Sequence, residues 1–400
     1  MTSRSVVSTV TLFTLAALLC GCAVGPSPDN RPNSAWMPEE APGATMAACR
    51  VAALPAGLVP AAFVPAGQLG SRIPVLSPGD RLRIRLPGDE DRISGNYVVD
   101  DNGDLQIAQL GALPAGGLSV QDLTLQLGAA LVQAGIVRPI GNPVDVKLLE
   151  SAGVSVAVAG AVFNPGTTRA GERSAESRAA LREANGAGDA NSERTVTTAL
   201  RAAGGVRPDA DLAHVYLVRG ARWTVLDLGE VITGGASPDV TLAAGDRIIV
   251  TSSGCFHPEL VAPTAVTAPG IRVFMSNLSR PAASNASSAV GRDATSLPYG
   301  TRMLQGLVSM NCVGGAVMNA HRKAVLISRN PVNLQSMVVE RNIEHLVRNA
   351  DRDEMDPYLM PGDALACYDS RLMNFQDALG LVSGTVGAAT NAALMNSLVR

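Results

Sequence analysis

The sequence predicts an α+β fold: a small mixed unit, two similar repeats after it, and a C-terminal amphipathic helix able to cross a membrane. Three observations predict it. Short apolar runs alternate with polar residues between Gly, Pro, Asn and Asp, the pattern of half-buried strands. Two stretches share the spacing from a Gly-Gly turn to the strand after it. The segment Ala378 to Val399 runs for 22 residues without a charge, which as a helix spans about 33 Å.

Composition sets the frame. A chain of 400 residues with 46% hydrophobic and 17% charged side chains is globular and holds several modules of ordinary size. The 40 glycines and 25 prolines imply many turns and short elements. Aromatics at 3% are too few for the girdles of a bilayer β-barrel or the platforms of a sugar-stacking lectin. A net charge of -3 with no Lys/Arg block excludes a protein that holds nucleic acid or an anionic surface electrostatically.

Arg4, the apolar stretch Val6 to Leu19 and the ending Leu19-Cys20-Gly21-Cys22 form a signal peptide over residues 1–21. The ending resembles the lipobox of bacterial lipoproteins, which makes Cys22 the acylated, palmitate-bearing N-terminus. Ala23 and Val24 come next, with no aspartate to retain the protein in the inner membrane, so the outer membrane is expected. Residues 22–70, rich in Pro, Ala and Gly, read as a tether. Ser77-Pro78-Gly79-Asp80 is a turn, and Arg81 to Leu86 alternates as a strand. Asp101-Asn102-Gly103 between two short strands signals a hairpin. Ser119 caps a helix with Leu123, Leu127, Ala130, Leu131 and Ala134 on its apolar face, ending before Pro139, and Val144 to Leu148 is a strand.

In the repeats, Gly204-Gly205 closes a helix and the strand Val215 to Arg219 ends 14 residues later; Gly314-Gly315 is followed at the same distance by Arg329. A turn and strand complete each copy, at Gly245-Asp246 to Val250 and at Pro361-Gly362-Asp363 to Tyr368. The polar segments Glu172 to Arg194 and Pro281 to Ser296 read as exposed insertions.

The lipobox, the Pro-Gly-Asp strand with its Val99-Asp100-Asp101-Asn102-Gly103 turn, and the tandem repeats together resemble the outer-membrane polysaccharide export lipoproteins of Gram-negative capsule and exopolysaccharide systems. The resemblance implies an export domain over 71–151. Two soluble-ligand-binding β-grasp modules come after it at 152–253 and 271–370, the first carrying Val158 to Gly166. A linker occupies 254–270, and 371–400 is the outer-membrane helix. The resemblance further implies a lipid-anchored, mostly periplasmic homo-oligomer, octameric by resemblance, whose helices form an α-helical barrel. Its partners would be the exported polysaccharide, outer-membrane lipid and an inner-membrane co-polymerase, often a tyrosine autokinase. The competing reading is a periplasmic ligand- or glycan-binding lipoprotein without a pore.

The C-terminal segment suits the first reading. Leu379, Val382, Val386, Ala389 and Ala393 lie on one face for lipid, while Gly380, Gly384 and Gly387 let neighbouring helices approach. Four cysteines besides Cys20 and Cys22 allow three pairings; Cys312 and Cys367 share one repeat and are the expected pair, leaving Cys49 and Cys255, with free buried thiols as the alternative. No catalytic motif, cofactor fingerprint or metal-ligand spacing occurs, and the acidic cluster Asp351, Asp353, Glu354 and Asp356, interleaved with arginines, reads as a solvated face.

Overall fold

The structure, a computed structural model, describes residue 49 and residues 53–368 apart from 70–74, 90–91, 140, 142–143, 184–190, 236–238, 278–295, 311, 314–321, 331–335, 351 and 354. The signal peptide, Cys22, the helix residues Leu379, Val382, Val386, Ala389 and Ala393, and the glycines Gly380, Gly384 and Gly387 lie outside the described residues. So do Gly314, Gly315, Asp351 and Glu354. The fold is α+β, mostly strands with a few short helices. No helix among the described residues is long and apolar enough to cross a membrane.

The first unit is built on β1 (Arg81–Arg85), whose alternation turns Leu82 and Ile84 inward. It is the central strand of an antiparallel sheet, with β2 (Gly95–Val98) on one side. A hairpin of β3 (Asp104–Ile107) and β4 (Gly111–Pro114) is next, then α1 (Val120–Gln133), and β5 (Asp145–Glu150) closes the sheet on the other side of β1. Ser119 caps α1 by accepting from the Asp122 N–H at 3.0 Å, and Leu123, Leu127 and Leu131 bury their side chains under the sheet. Ala134 lies at the surface as the C-cap. The expected hairpin at Asp101-Asn102-Gly103 is corrected: Asp100 accepts from the N–H groups of Asn102 and Asp104, so the turn forms, but its flanking strands do not pair. The turn closes through Asp100 N–H to Asp104 O and Gly103 N–H to Asp100 O, both 2.9 Å, and beyond it β3 pairs with β4 while β2 and Val99 stay on the β1 side.

The second and third units share one connectivity. In the second, β6 (Val154–Gly160), β7 (Gly166–Ala170), β8 (Ala210–Arg219), β9 (Arg222–Leu226) and β10 (Arg247–Ser252) stand in the order β7-β6-β10-β8-β9, with only β6 and β10 parallel. In the third, β11 (Gly270–Arg272) and β12 (Phe274–Asn277) flank Val273 and together take the place of β6. β13 (Ser296–Pro298) pairs with β11 as β7 does with β6, while β14 (Lys323–Arg329), β15 (Ser336–Asn342) and β16 (Ala364–Tyr368) repeat β8, β9 and β10. The ladders shift the correspondence read from spacing by one residue. Val218 faces Arg247 and Ile327 faces Ala364, so Ser328, not Arg329, occupies the place of Arg219.

Three segments depart from expectation. The insertion after β7 contains a helix, α2 (Ala175–Glu183), and ends on Arg194, only 2% exposed, just before α3 (Val196–Ala202). The latter half of the tether straps onto the second unit. Phe63 packs edge-on against Trp223 at 5.1 Å, the Trp223 indole donates to Val59 O, Leu69 enters the core, and Cys49 is bonded to Cys255. The linker is a wedge: Leu260 and Val266 enter the core of the second unit, Val261 and Ala268 that of the third. In the third unit Cys312 is joined to Cys367 on β16, near α4 (Met303–Ser309), and α5 (Ile343–Arg348) comes directly after β15.

The wedge depends on Gly205, at φ +84°, where an added Cβ would lie 2.3 Å from the Ala268 nitrogen. Gly205→Ala is expected to cost about 3 kcal/mol or more, against about 1 kcal/mol for Gly220→Ala in an open turn. Urea-unfolding midpoints of the two variants test this, and equal losses would contradict the close packing.

Candidate functional site

One local device occurs three times. Leu76-Ser77-Pro78-Gly79-Asp80, Leu242-Ala243-Ala244-Gly245-Asp246 and Leu359-Met360-Pro361-Gly362-Asp363 each place a buried leucine, a glycine at positive φ and a buried aspartate directly before β1, β10 and β16. Each carboxylate accepts from the backbone N–H three residues back, at 2.8 Å from Ser77, Ala243 and Met360 alike. Each leucine N–H donates to the carbonyl of the residue before a helix N-cap: Leu118 at 2.8 Å, Arg194 at 2.7 Å and Thr301 at 2.9 Å. The turn therefore pins the start of a strand to the start of a helix. The spacing Leu-x-x-Gly-Asp is plain in the sequence once the three turns are laid side by side.

In the second and third units the pattern extends to Asp-x-x-Leu-x-x-Gly-Asp. Asp239 accepts from Thr197 N–H at 3.2 Å and Asp356 from Leu304 N–H at 2.8 Å, so both cap the helix held by their own turn. This corrects the solvated-face reading for Asp356; Asp353 is exposed as expected, and Asp351 and Glu354 lie outside the described residues. Asp356 is buried, its carboxyl held above the usual range by desolvation against the pull of the Leu304 N–H and nearby arginines. Arg302 donates to the carbonyls of Asp353 (3.0 Å) and Asp356 (3.1 Å) and covers the Tyr358 ring at 4.4 Å.

The three turn aspartates differ in what compensates them. Asp246 receives two hydrogen bonds from Arg219, at 2.8 and 2.6 Å. Asp80 is met by Arg194 of the second unit at 3.5 Å; the same guanidinium donates to Ser77 Oγ (2.6 Å), Val75 O (3.3 Å) and Ser151 Oγ (2.9 Å), bolting the first unit to the second. Burial still lifts the Asp80 carboxyl above its ordinary value, with Arg194 opposing. Asp363 has the hydroxyl of Ser328 where Asp246 has Arg219, and burial pushes its pKa up to about 7.

Two clefts open on these joints. One of about 350 Å³ lies between the first and second units, with Arg81 and Val98 on one wall and Arg169, Glu172, Arg173 and Arg178 on the other. The second, about 370 Å³, lies between the strap and the β8–β9 hairpin beside Trp223 and Arg247. Ser253, His257 and Glu259 hold the partners of a nucleophilic triad, with Ser253 Oγ 2.7 Å from His257 Nε2 and Glu259 3.4 Å from Nδ1. The serine is buried, its oxygen accepts from Cys255 N–H, and neither cleft reaches it, so the contacts serve the loop. No group of three or more His, Cys, Asp or Glu among the described residues is placed to hold a metal ion.

The first unit is thus a three-stranded sheet and hairpin closed by one capped helix and bolted to the second unit through Arg194. Residues 72–148, which span it, match the model of the polysaccharide biosynthesis/export protein family. The chain carries that domain, and the resemblance drawn from its residues holds over this segment. The match supports a general role in polysaccharide export. No curated protein matches the chain.

The compensations of Asp80 and Asp363 lead to different expected responses. Arg194→Leu leaves Asp80 buried without its cation and is expected to cost about 3–5 kcal/mol; adding Asp80→Asn should recover part of it in a double-mutant cycle of urea midpoints, and strict additivity would disprove the coupling. For Asp363 the folded state keeps a proton that the unfolded chain, with a carboxylate near 3.8, has lost. Its contribution is therefore fully present well below pH 3.8 and is lost, at about 1.4 kcal/mol per pH unit, as pH rises from there through about 7. Asp363→Asn should flatten this slope and stabilise the third unit at pH 8, as measured by denaturation at pH 5 and pH 8.

Proposed function

We propose that the chain is an outer-membrane lipoprotein, anchored through Cys22, whose copies form an oligomeric conduit that passes a capsular or extracellular polysaccharide outward. The observation that carries this reading is the family match over the first unit. Two features support it. The Leu19-Cys20-Gly21-Cys22 ending supplies an anchor, and the 371–400 segment, with its charge-free run, an apolar face at Leu379, Val382, Val386, Ala389 and Ala393 and small residues at Gly380, Gly384 and Gly387, suits a ring of helices in lipid. In this reading 71–151 is the export domain, 152–253 and 271–370 are β-grasp modules, and the periplasmic end meets the inner-membrane co-polymerase. The work is translocation, with no bond made or broken by the protein. The clefts would equally serve a glycan-binding lipoprotein without a pore, and electron microscopy of detergent-extracted protein separates the two as rings against monomers.

Deleting residues 371–400 is expected to abolish surface polysaccharide while leaving the three units folded. Val386→Asp should do nearly the same, at about 2.5–3.5 kcal/mol per helix for a mid-bilayer charge. Surface-polymer immunodetection in intact cells, with circular dichroism of the purified variants, gives the answer. Normal export by the deletion strain would sink the conduit.

A further inference from the structure

The two repeats share a backbone but present unlike outer sheet faces. In the third unit, α4 and α5 pack through Leu307 and Leu346 into the core formed by Met275, Leu326, Val339 and Leu365. On the opposite side of that sheet the ladders set Phe274 beside Ala364, Ala364 opposite Ile327 and Ile327 opposite Val338. This apolar row crosses four strands, and Phe274 is 67% and Ile327 46% exposed. Alternation brings Arg272, two residues before Phe274, and Arg329, two after Ile327, to the same side, where both are exposed. Gly362 lies between them: its N–H donates to Arg272 O at 2.8 Å, and it stands two residues before Ala364 as Arg329 stands two after Ile327. At φ +87° an added Cβ there would meet nothing within 4 Å, so the space above the glycine is open.

The fold does not need these side chains. By the same ladders Ser155 stands in the second unit where Arg272 does, Ala157 where Phe274 does and Gly220 where Arg329 does, and the sheet forms all the same. Neither guanidinium of the third unit has a hydrogen-bond or ion-pair partner among the described residues. Two described carboxylates belong to these strands and the turn before β16, and neither answers the arginines. Glu340, two residues past Val338, pairs with Lys323, and Asp363 is buried on the other side of the sheet beside Ser328. Two strand spacings, about 10 Å, separate the arginine backbones, so both guanidinium forks reach an acid group lying over the bare glycine. A planar fork matches a carboxylate or sulfate through paired hydrogen bonds. Phe274 stands next to Arg272 along the strand face, and its ring packs on no other ring among the described residues. An acidic pyranose presents the complement of this arrangement: CH groups for the aromatic face and an oxyanion for the cations. Neither cleft described above lies over this face, which gives an acyl chain no groove to enter.

We propose that the outer sheet face of the third unit binds an acidic glycan, with Arg272 and Arg329 donating to its carboxylate or sulfate and Phe274 stacking on a sugar ring. The inference rests on the export reading, whose own test, the loss of residues 371–400, does not involve these side chains. Full-length protein in phosphatidylcholine nanodiscs is titrated with a fluorescent hexauronate, with fluorescent maltohexaose and with phosphatidylglycerol vesicles. The wild type should bind the uronate, more weakly as salt rises, and maltohexaose about tenfold or more weakly still. Arg272→Ser with Arg329→Gln should weaken uronate binding by about tenfold or more, and Phe274→Ala by about threefold. Arg272→Glu alone, at an exposed position, should match the double variant and replaces it if that variant does not fold. Equal binding of maltohexaose, unchanged uronate binding by the folded variants, or vesicle binding that needs both arginines while uronate binding does not would each overturn the assignment and leave the export reading standing.

Discussion

The architecture depends on a carboxylate placed inside the protein. A buried aspartate is costly unless its charge is met or its proton kept, and this chain sets one at the root of a strand in every unit. What the cost secures is geometry: the carboxylate closes the turn on the N–H three residues back, the glycine supplies the positive φ, and the leucine N–H ahead of it donates to the carbonyl just before the helix N-cap. The start of the strand is thereby tied to the start of the helix in units whose remaining elements are short. The compensation is then free to differ. Arg219 meets Asp246 within its unit, Arg194 meets Asp80 across a joint, and Asp363 has a serine hydroxyl and a raised pKa.

The joints between units are as constrained as their cores. The strap over Trp223 and the Cys49–Cys255 bond tie the N-terminal approach to the second unit, and the 254–270 segment fills the space between the second and third. The strap also explains a difference between the repeats. It lies over a face that carries Arg247, Val218 and Trp223, while the corresponding row in the third unit is Ala364, Ile327 and Val338, with Phe274 67% exposed beside it.

Local patterns were legible in the residues. The alternation of Arg81 to Leu86, the Ser119 cap with Leu123, Leu127 and Leu131 behind it, and the glycines before β10 and β16 each act within a few residues, where side-chain periodicity and backbone preference decide the outcome. Those signals determined the α+β class, the order of the units and their repetition. The partners of charged groups were settled only by tertiary structure, because a cation 114 residues from Asp80 in sequence reaches it through the docking of two units. In sequence Arg194 ends a polar insertion and Asp356 sits in an acidic cluster, both indistinguishable from solvated residues; packing buries one as a bolt and the other as a helix cap. The one-residue shift that gives Asp363 a serine instead of an arginine has the same origin: spacing along the chain counts residues, whereas cross-strand hydrogen bonds choose which of them stand opposite.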